Sequence, residues 1–145
     1  MMDGITEQLK RFNYLASEID AAYHAASVKL GLSDSAMQVL YTVSYFGDRC
    51  LLSDIYKLSG TSKQTINSAL RKLETEGYIR LEIHSGLKKA VLFTQAGKEK
   101  AERTVNKIIE LENRIFKSWP PADRETYLEL TKRYLVDFQN GSRNL

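Results

Sequence analysis

Cysteine is nearly absent from this 145-residue sequence: Cys50 stands alone, so neither an intramolecular disulfide nor a multi-cysteine metal site can form. Proline is almost as scarce, with Pro120 and Pro121 side by side, and eight glycines are too few for a fibrous or low-complexity chain. No charge-free apolar run approaches the roughly 18 residues of a membrane span. The longest candidate, 35–47, is short and carries polar side chains. The N-terminus, with Asp3 and Glu7 and no apolar segment, does not read as a secretory leader, so the cytoplasm is the expected compartment. Catalytic patterns are missing as well. There is no nucleophile elbow, dinucleotide fingerprint or His-Glu-x-x-His, and Gly60-Thr61-Ser62-Lys63 lacks the first glycine of a phosphate loop. His24 and His84 are isolated, and Glu110 and Glu112 do not share a helix face. Neither enzyme activity nor a cofactor or metal site is expected. What is present is ordinary for a globular protein, 43% hydrophobic and 27% charged residues, at a length that predicts one domain over residues 1–145.

Charge is unevenly spread. Residues 1–56 hold four Lys/Arg against seven Asp/Glu, residues 57–89 seven against three, and residues 90–145 ten against eight. A basic middle third between near-neutral flanks suits a part that meets a polyanion.

Apolar spacing sets the layout. Ile5, Leu9, Phe12, Ala16, Ile19, Tyr23, Ala26 and Leu30 recur every three or four residues, a long helix stopped at Gly31. That stripe serves a dimer seam and a monomeric bundle equally well. Ser33 predicts the N-cap of a second helix that runs out at Gly47-Asp48, and Leu52, Ile55 and Leu58 mark a short third helix. A fourth begins at Thr61 or Ser62 and reaches about Glu76. Ile79, Leu81 and Ile83 then alternate with polar residues as a half-buried strand, and Ala90 to Thr94 completes a hairpin across Ser85-Gly86. One long helix is predicted from Thr94 to Trp119, broken by Pro120-Pro121, and a last one carries Tyr127, Leu128, Tyr134, Leu135 and Phe138, with a frayed tail from Asn140.

Two short helices joined by a glycine turn and followed by a hairpin form a helix-turn-helix with a β wing. On a helical wheel with Lys63 at zero, Ile66, Ala69, Leu70 and Leu73 fall between roughly 240° and 340°, the predicted buried face. Gln64, Asn67, Ser68, Arg71 and Lys72 occupy the other side, where no acid intrudes before Glu74. Such a face suits the major groove: Gln and Asn offer paired donors and acceptors to adenine, and Arg grips guanine or phosphate with two N–H groups. Gln64, Asn67 and Arg71 are therefore the base-reading candidates. Ser62, Lys63, Thr65, Ser68 and Lys72, with Lys88 and Lys89 at the hairpin tip, are candidates for holding phosphate.

The stretch Lys63-Gln64-Thr65-Ile66-Asn67-Ser68-Ala69-Leu70-Arg71-Lys72-Leu73-Glu74, then Glu76-Gly77-Tyr78-Ile79, resembles the recognition helix and strand entry of the MarR family of winged-helix regulators. Leu92-Phe93-Thr94-Gln95-Ala96-Gly97 is similar to that family's strand-to-helix junction. The motifs cover about residues 53–97, and the order of elements matches over nearly the whole chain. The resemblance implies a mainly α fold with a small β hairpin: a winged helix-turn-helix at 33–94, and long dimerisation helices at 1–32 and 95–145. It implies a homodimeric transcription factor, commonly a repressor, that binds a pseudo-palindromic duplex and is often released by a small aromatic ligand, with Phe12, Tyr23 and Tyr41 as candidate lining residues. One departure stands out. The family's wing usually carries an Asp-x-Arg element for the minor groove, and the tip of this wing, 85–89, has neither residue, which leaves Lys88 and Lys89 to contact phosphate.

Two further readings stay open on the residues. A winged-helix module that binds a protein instead of DNA is the alternative function, although the polar outer face lacks the aromatic anchors such interfaces favour. Cys50, beside Arg49 in the loop before the third helix, is either an inert thiol or an oxidant sensor.

Overall fold

The computed structural model describes residues 3–145, so Met1 and Met2 of the expected 1–32 portion lie outside the described residues. Seven helices and three strands follow one another among them: α1 Gly4–Lys29, α2 Asp34–Tyr45, β1 Arg49–Leu51, α3 Leu52–Ser59, α4 Lys63–Thr75, β2 Ile79–Ser85, β3 Lys88–Phe93, α5 Gln95–Arg103, α6 Val105–Ser118 and α7 Pro121–Ser142. Ser33, Ser62 and Thr94 each accept the backbone N–H three residues on, at 3.1, 3.2 and 3.1 Å, so of Thr61 and Ser62 it is Ser62 that caps α4. Asp3 does the same for α1, accepting from the Thr6 N–H at 2.7 Å. Each cap satisfies a donor that the first helical turn would otherwise leave unpaired.

The chain divides into two compact units at Ile109/Glu110. In the first, α2 packs on α3, α4, α5 and the sheet, and this is where the core sits. Val39, Leu40 and Val43 of α2 meet Ile55, Ile66, Ile79, Val91 and Val105 with almost no exposure to solvent. The sheet is antiparallel in the order β1-β3-β2, with Cys50 opposite Val91 and Leu81 opposite Val91 on the other side. Thr94 stitches the hairpin to α5. Its hydroxyl donates to the Gly77 carbonyl at 2.6 Å, and its N–H donates to the Tyr78 carbonyl at 3.1 Å. A side chain at Gly97 would put its Cβ 1.9 Å from that same Tyr78 carbonyl, so only glycine lets the strand and helix approach this closely.

In the second unit, Phe116, Trp119 and Tyr127 form a ring cluster with centroids 5.2–6.0 Å apart. Arg124 donates to the carbonyls of Phe116 and Trp119, both at 2.9 Å, and so ties the end of α6 to the start of α7 across Pro120. None of the 22 residues of α7 is buried.

Four expectations need correction. The single helix predicted from Thr94 to Trp119 is two, parted at Thr104, whose backbone (φ −127, ψ −95) leaves the helical region. The Thr104 hydroxyl donates back to the Lys100 carbonyl at 2.7 Å, an alternative bond that β-branched hydroxyl residues offer against the regular ladder. Cys50, expected in a loop, lies in β1, which adds a third strand to the predicted hairpin. Ile83 is not half-buried but 78% exposed, because the hairpin has left the core by that point. The helix expected to fray at Asn140 continues to Ser142.

Candidate nucleic-acid interface

Helices α3 and α4 meet through a turn that glycine makes possible: Gly60 adopts φ +62, a left-handed conformation that other residues rarely take. Ser62 then caps α4. The residues of α4 that are buried are Ile66, Ala69, Leu70 and Leu73, the four that the wheel placed inward. This fixes the helix's rotation, and Lys63, Gln64, Thr65, Ser68, Arg71 and Lys72 all lie exposed.

The exposed side chains are not all equally available. Ser62 accepts the Thr65 N–H and lies 2.9 Å from the Thr65 hydroxyl, so these two polar groups hold one another as a cap. Ser68 donates to the Gln64 carbonyl at 3.1 Å and accepts from Arg71 Nη2 at 3.4 Å, which leans the guanidinium along the helix surface. Asn67 is half-buried, and its Oδ1 accepts from the Tyr56 hydroxyl of α3. Lys63 Nζ sits 5.2 Å above the ring of the same tyrosine, a cation–π contact.

The wing brings further cations alongside. Lys88 and Lys89 open β3, both exposed, and they join Lys63, Tyr56 and Ser53 in lining a groove of about 380 Å³ between α3, the start of α4 and the hairpin tip. Lys72 lies elsewhere, in a recess of about 260 Å³ with Ser33, Ser35, Ser68 and Lys100. Half of the candidate residues thus line one recess or the other, and Ser62, Gln64, Thr65, Asn67 and Arg71 line neither. Leu87 at the wing tip is fully exposed, and Arg49 of β1 donates to His84 Nδ1 of β2 at 3.1 Å.

Sequence reasoning passed over Tyr56, which reads as one more residue of a short amphipathic helix. Its closeness to Asn67 and Lys63 depends on how α3 crosses α4, and spacing along the chain does not carry that. Cys50 is buried, and its thiol is pushed up from about 9 to about 12, first by burial, then by the Asp54 carboxylate, against a smaller opposing pull from Arg49. The thiolate that Arg49 alone would favour does not form at neutral pH. Tyr23 and Tyr41, which read from the sequence as core residues or as ligand lining, pack against the core, whereas Phe12 on α1 is 48% exposed.

The MarR family model matches residues 30–88 of this chain. No curated protein matches it. Among solved structures, a MarR family regulator from Neisseria meningitidis is 19% identical with a TM-score of 0.76, over 99% of this chain and 100% of that one. A MarR family transcriptional regulator from Streptomyces coelicolor, solved in complex with DNA, is 16% identical with a TM-score of 0.66, over 96% of this chain and 91% of that one. The Bordetella bronchiseptica protein BpsR, whose DNA binding is regulated by 6-hydroxynicotinic acid, is 18% identical with a TM-score of 0.61, over 91% and 98%. At these identities the likeness establishes a shared fold.

Proposed function

We propose that this chain, whose residues 30–88 are a winged helix of the MarR family, is a homodimeric, sequence-specific DNA-binding regulator of transcription that acts in the cytoplasm, without enzymatic activity, as a repressor. The carrying observation is the rotation of α4. Its four apolar residues are buried, and the side left facing solvent bears Lys63, Gln64, Arg71 and Lys72 with no acid before Glu74. A helix so presented enters the major groove, where Gln64, Asn67 and Arg71 reach base edges. Ser62, Lys63, Thr65, Ser68 and Lys72 sit toward the phosphates, and the wing lysines Lys88 and Lys89 reach the flanking backbone in place of an arginine in the minor groove.

The dimer is supported by apolar surface that one chain leaves open. Ile5, Leu9, Phe12 and Ile19 of α1 keep the seam spacing read from the sequence, and none of them is buried. In the other unit, Leu128, Leu135 and Phe138 of α7 are each more than half exposed. Two copies present two recognition helices, which suits a pseudo-palindromic duplex with half-sites about one turn apart. Release by a small aromatic ligand follows the regulation named for the Bordetella protein. Against a protein-binding module stands the centre of the outward face of α4, which carries amides and cations and no aromatic anchor.

The test is selection of bound sites from random duplex DNA, with and without hydroxylated aromatic acids. The reading predicts enrichment of an inverted repeat that weakens when the right acid is present. Recovery of an unenriched pool would overturn it.

A further inference from the structure

We infer that Tyr56, on α3 and outside the base-facing side of α4, is a positioning residue that decides what Asn67 can read. This rests on the DNA-binding reading above. Two contacts carry it: the Tyr56 hydroxyl donates to Asn67 Oδ1, and the Tyr56 ring lies beneath Lys63 Nζ at 5.2 Å. Tyr56 itself is held, half-buried and packed against the core, so it acts as a fixed post between α3 and α4.

The chemistry follows from the inventory of an amide. Asparagine recognises adenine with two bonds at once, its oxygen accepting from N6 and its nitrogen donating to N7. Here the oxygen already accepts from the Tyr56 phenol. That bond takes one of its two lone pairs and holds the amide in one orientation, so the group left free for a base is first of all the Nδ2 donor. A lone donor suits bases that offer an acceptor in the major groove, the N7 of either purine, guanine O6 or thymine O4, and is mismatched only with the amino group of cytosine. Asn67 in this chain is therefore a filter against cytosine instead of a reader of adenine. Tyr56 has a second, separable effect through its ring, which keeps the Lys63 ammonium over the groove shared with Lys88 and Lys89.

Conservative variants separate the two effects. Sites are selected from random duplex with the wild-type protein, and Asn67→Ala identifies the base position that loses discrimination. Dissociation constants are then measured on duplexes carrying each of the four bases there. Tyr56→Phe keeps the ring and removes the hydroxyl. It frees Oδ1 and shifts preference at that one position toward adenine by on the order of tenfold, with other positions and the thermal midpoint unchanged. Asn67→Asp still accepts the phenol proton but has no donor left, and it turns the same position toward cytosine. Tyr56→Leu, which removes the ring along with the hydroxyl, gives the same shift at that position and in addition weakens binding to all sequences. If the wild type selects a site and Tyr56→Phe keeps the wild-type preference at the Asn67 position, this inference falls and the DNA reading stands. If Asn67→Ala changes no position, it falls likewise. If the wild type selects no site at all, the DNA reading falls and takes this one with it.

Discussion

The winged segment and the helices flanking it use apolar side chains in opposite ways. Within residues 33–94, Val39, Leu40, Val43, Ile55 and Ile66 are shielded completely by the chain's own elements. On α1, Ile5 and Ile19 are 68% and 52% exposed, and on α7 Leu128 and Phe138 are 52% and 60% exposed. The periodicity that marks both is the same. A stripe of apolar residues says that a surface will be covered, and only the fold says whether the same chain covers it. The core of the winged segment is closed with Ala101, Val105 and Ile108 of α5 and α6, whereas α1 and α7 carry apolar side chains that stay exposed.

The largest effect is expected at the surface proposed for the dimer. Leu128→Asp with Phe138→Asp places charge on the open face of α7, and sedimentation should show one-chain mass where the wild type shows two. Binding to a two-half-site duplex then falls about 100-fold or more, because the second recognition helix is no longer tethered to the first. A variant that keeps the two-chain mass would mean that the α7 face is not part of the dimer.

In the self-contained region the expected cost lies in folding. Leu40→Ala empties a fully buried site on α2 and should lower stability by about 2–5 kcal/mol in urea unfolding, whereas an alanine at exposed Leu87 should leave it within about 0.5 kcal/mol. Equal costs at the two positions would erase the contrast between core and surface.

Arg71→Ala tests the surface that this core orients. It should lose about 1–3 kcal/mol for each half-site and relax preference at one position in each. The same loss on random duplex would make Arg71 a phosphate contact.

The smallest effect concerns Cys50. A thiol raised from about 9 to about 12 in the folded protein contributes stability that is fully present below pH 9 and is lost as pH climbs toward 12, since the unfolded chain gives up that proton first. Iodoacetamide at pH 8 should therefore modify the native thiol far more slowly than the urea-unfolded one. Comparable rates would contradict its burial.

Much of this was legible in the sequence, and the gaps have physical causes. The register of α4 was readable because one face is apolar at a period of 3.6 and the other is wholly polar, and Ile66, Ala69, Leu70 and Leu73 are buried as that pattern requires. Ser33 and Thr94 were readable as caps, and the start of α4 to within Thr61 or Ser62, because a cap bond is local. Strand β1 was not: three residues carry no period, and Arg49–Leu51 pair with Ala90–Leu92 far along the chain. The break at Thr104 was hidden because apolar spacing runs on through Val105 and Ile108, both buried, while the backbone leaves the helix. Cys50 was misplaced by its sequence neighbour. Arg49 is adjacent, but burial and Asp54, which the fold brings near, set the thiol's behaviour. Tyr56 belongs with these, since its contacts span two helices.

The central claim is that the outward side of α4 meets a duplex, and the salt dependence of binding to the selected site tests it most directly. If Lys63, Lys72, Lys88 and Lys89 of both copies displace counterions, log K falls linearly with log salt concentration at a slope of about −0.9 for each phosphate neutralised. Replacing Lys88 or Lys89 by alanine removes one contact from each copy and makes that slope shallower by about 2. A binding constant that stays level between low and physiological salt would contradict the account.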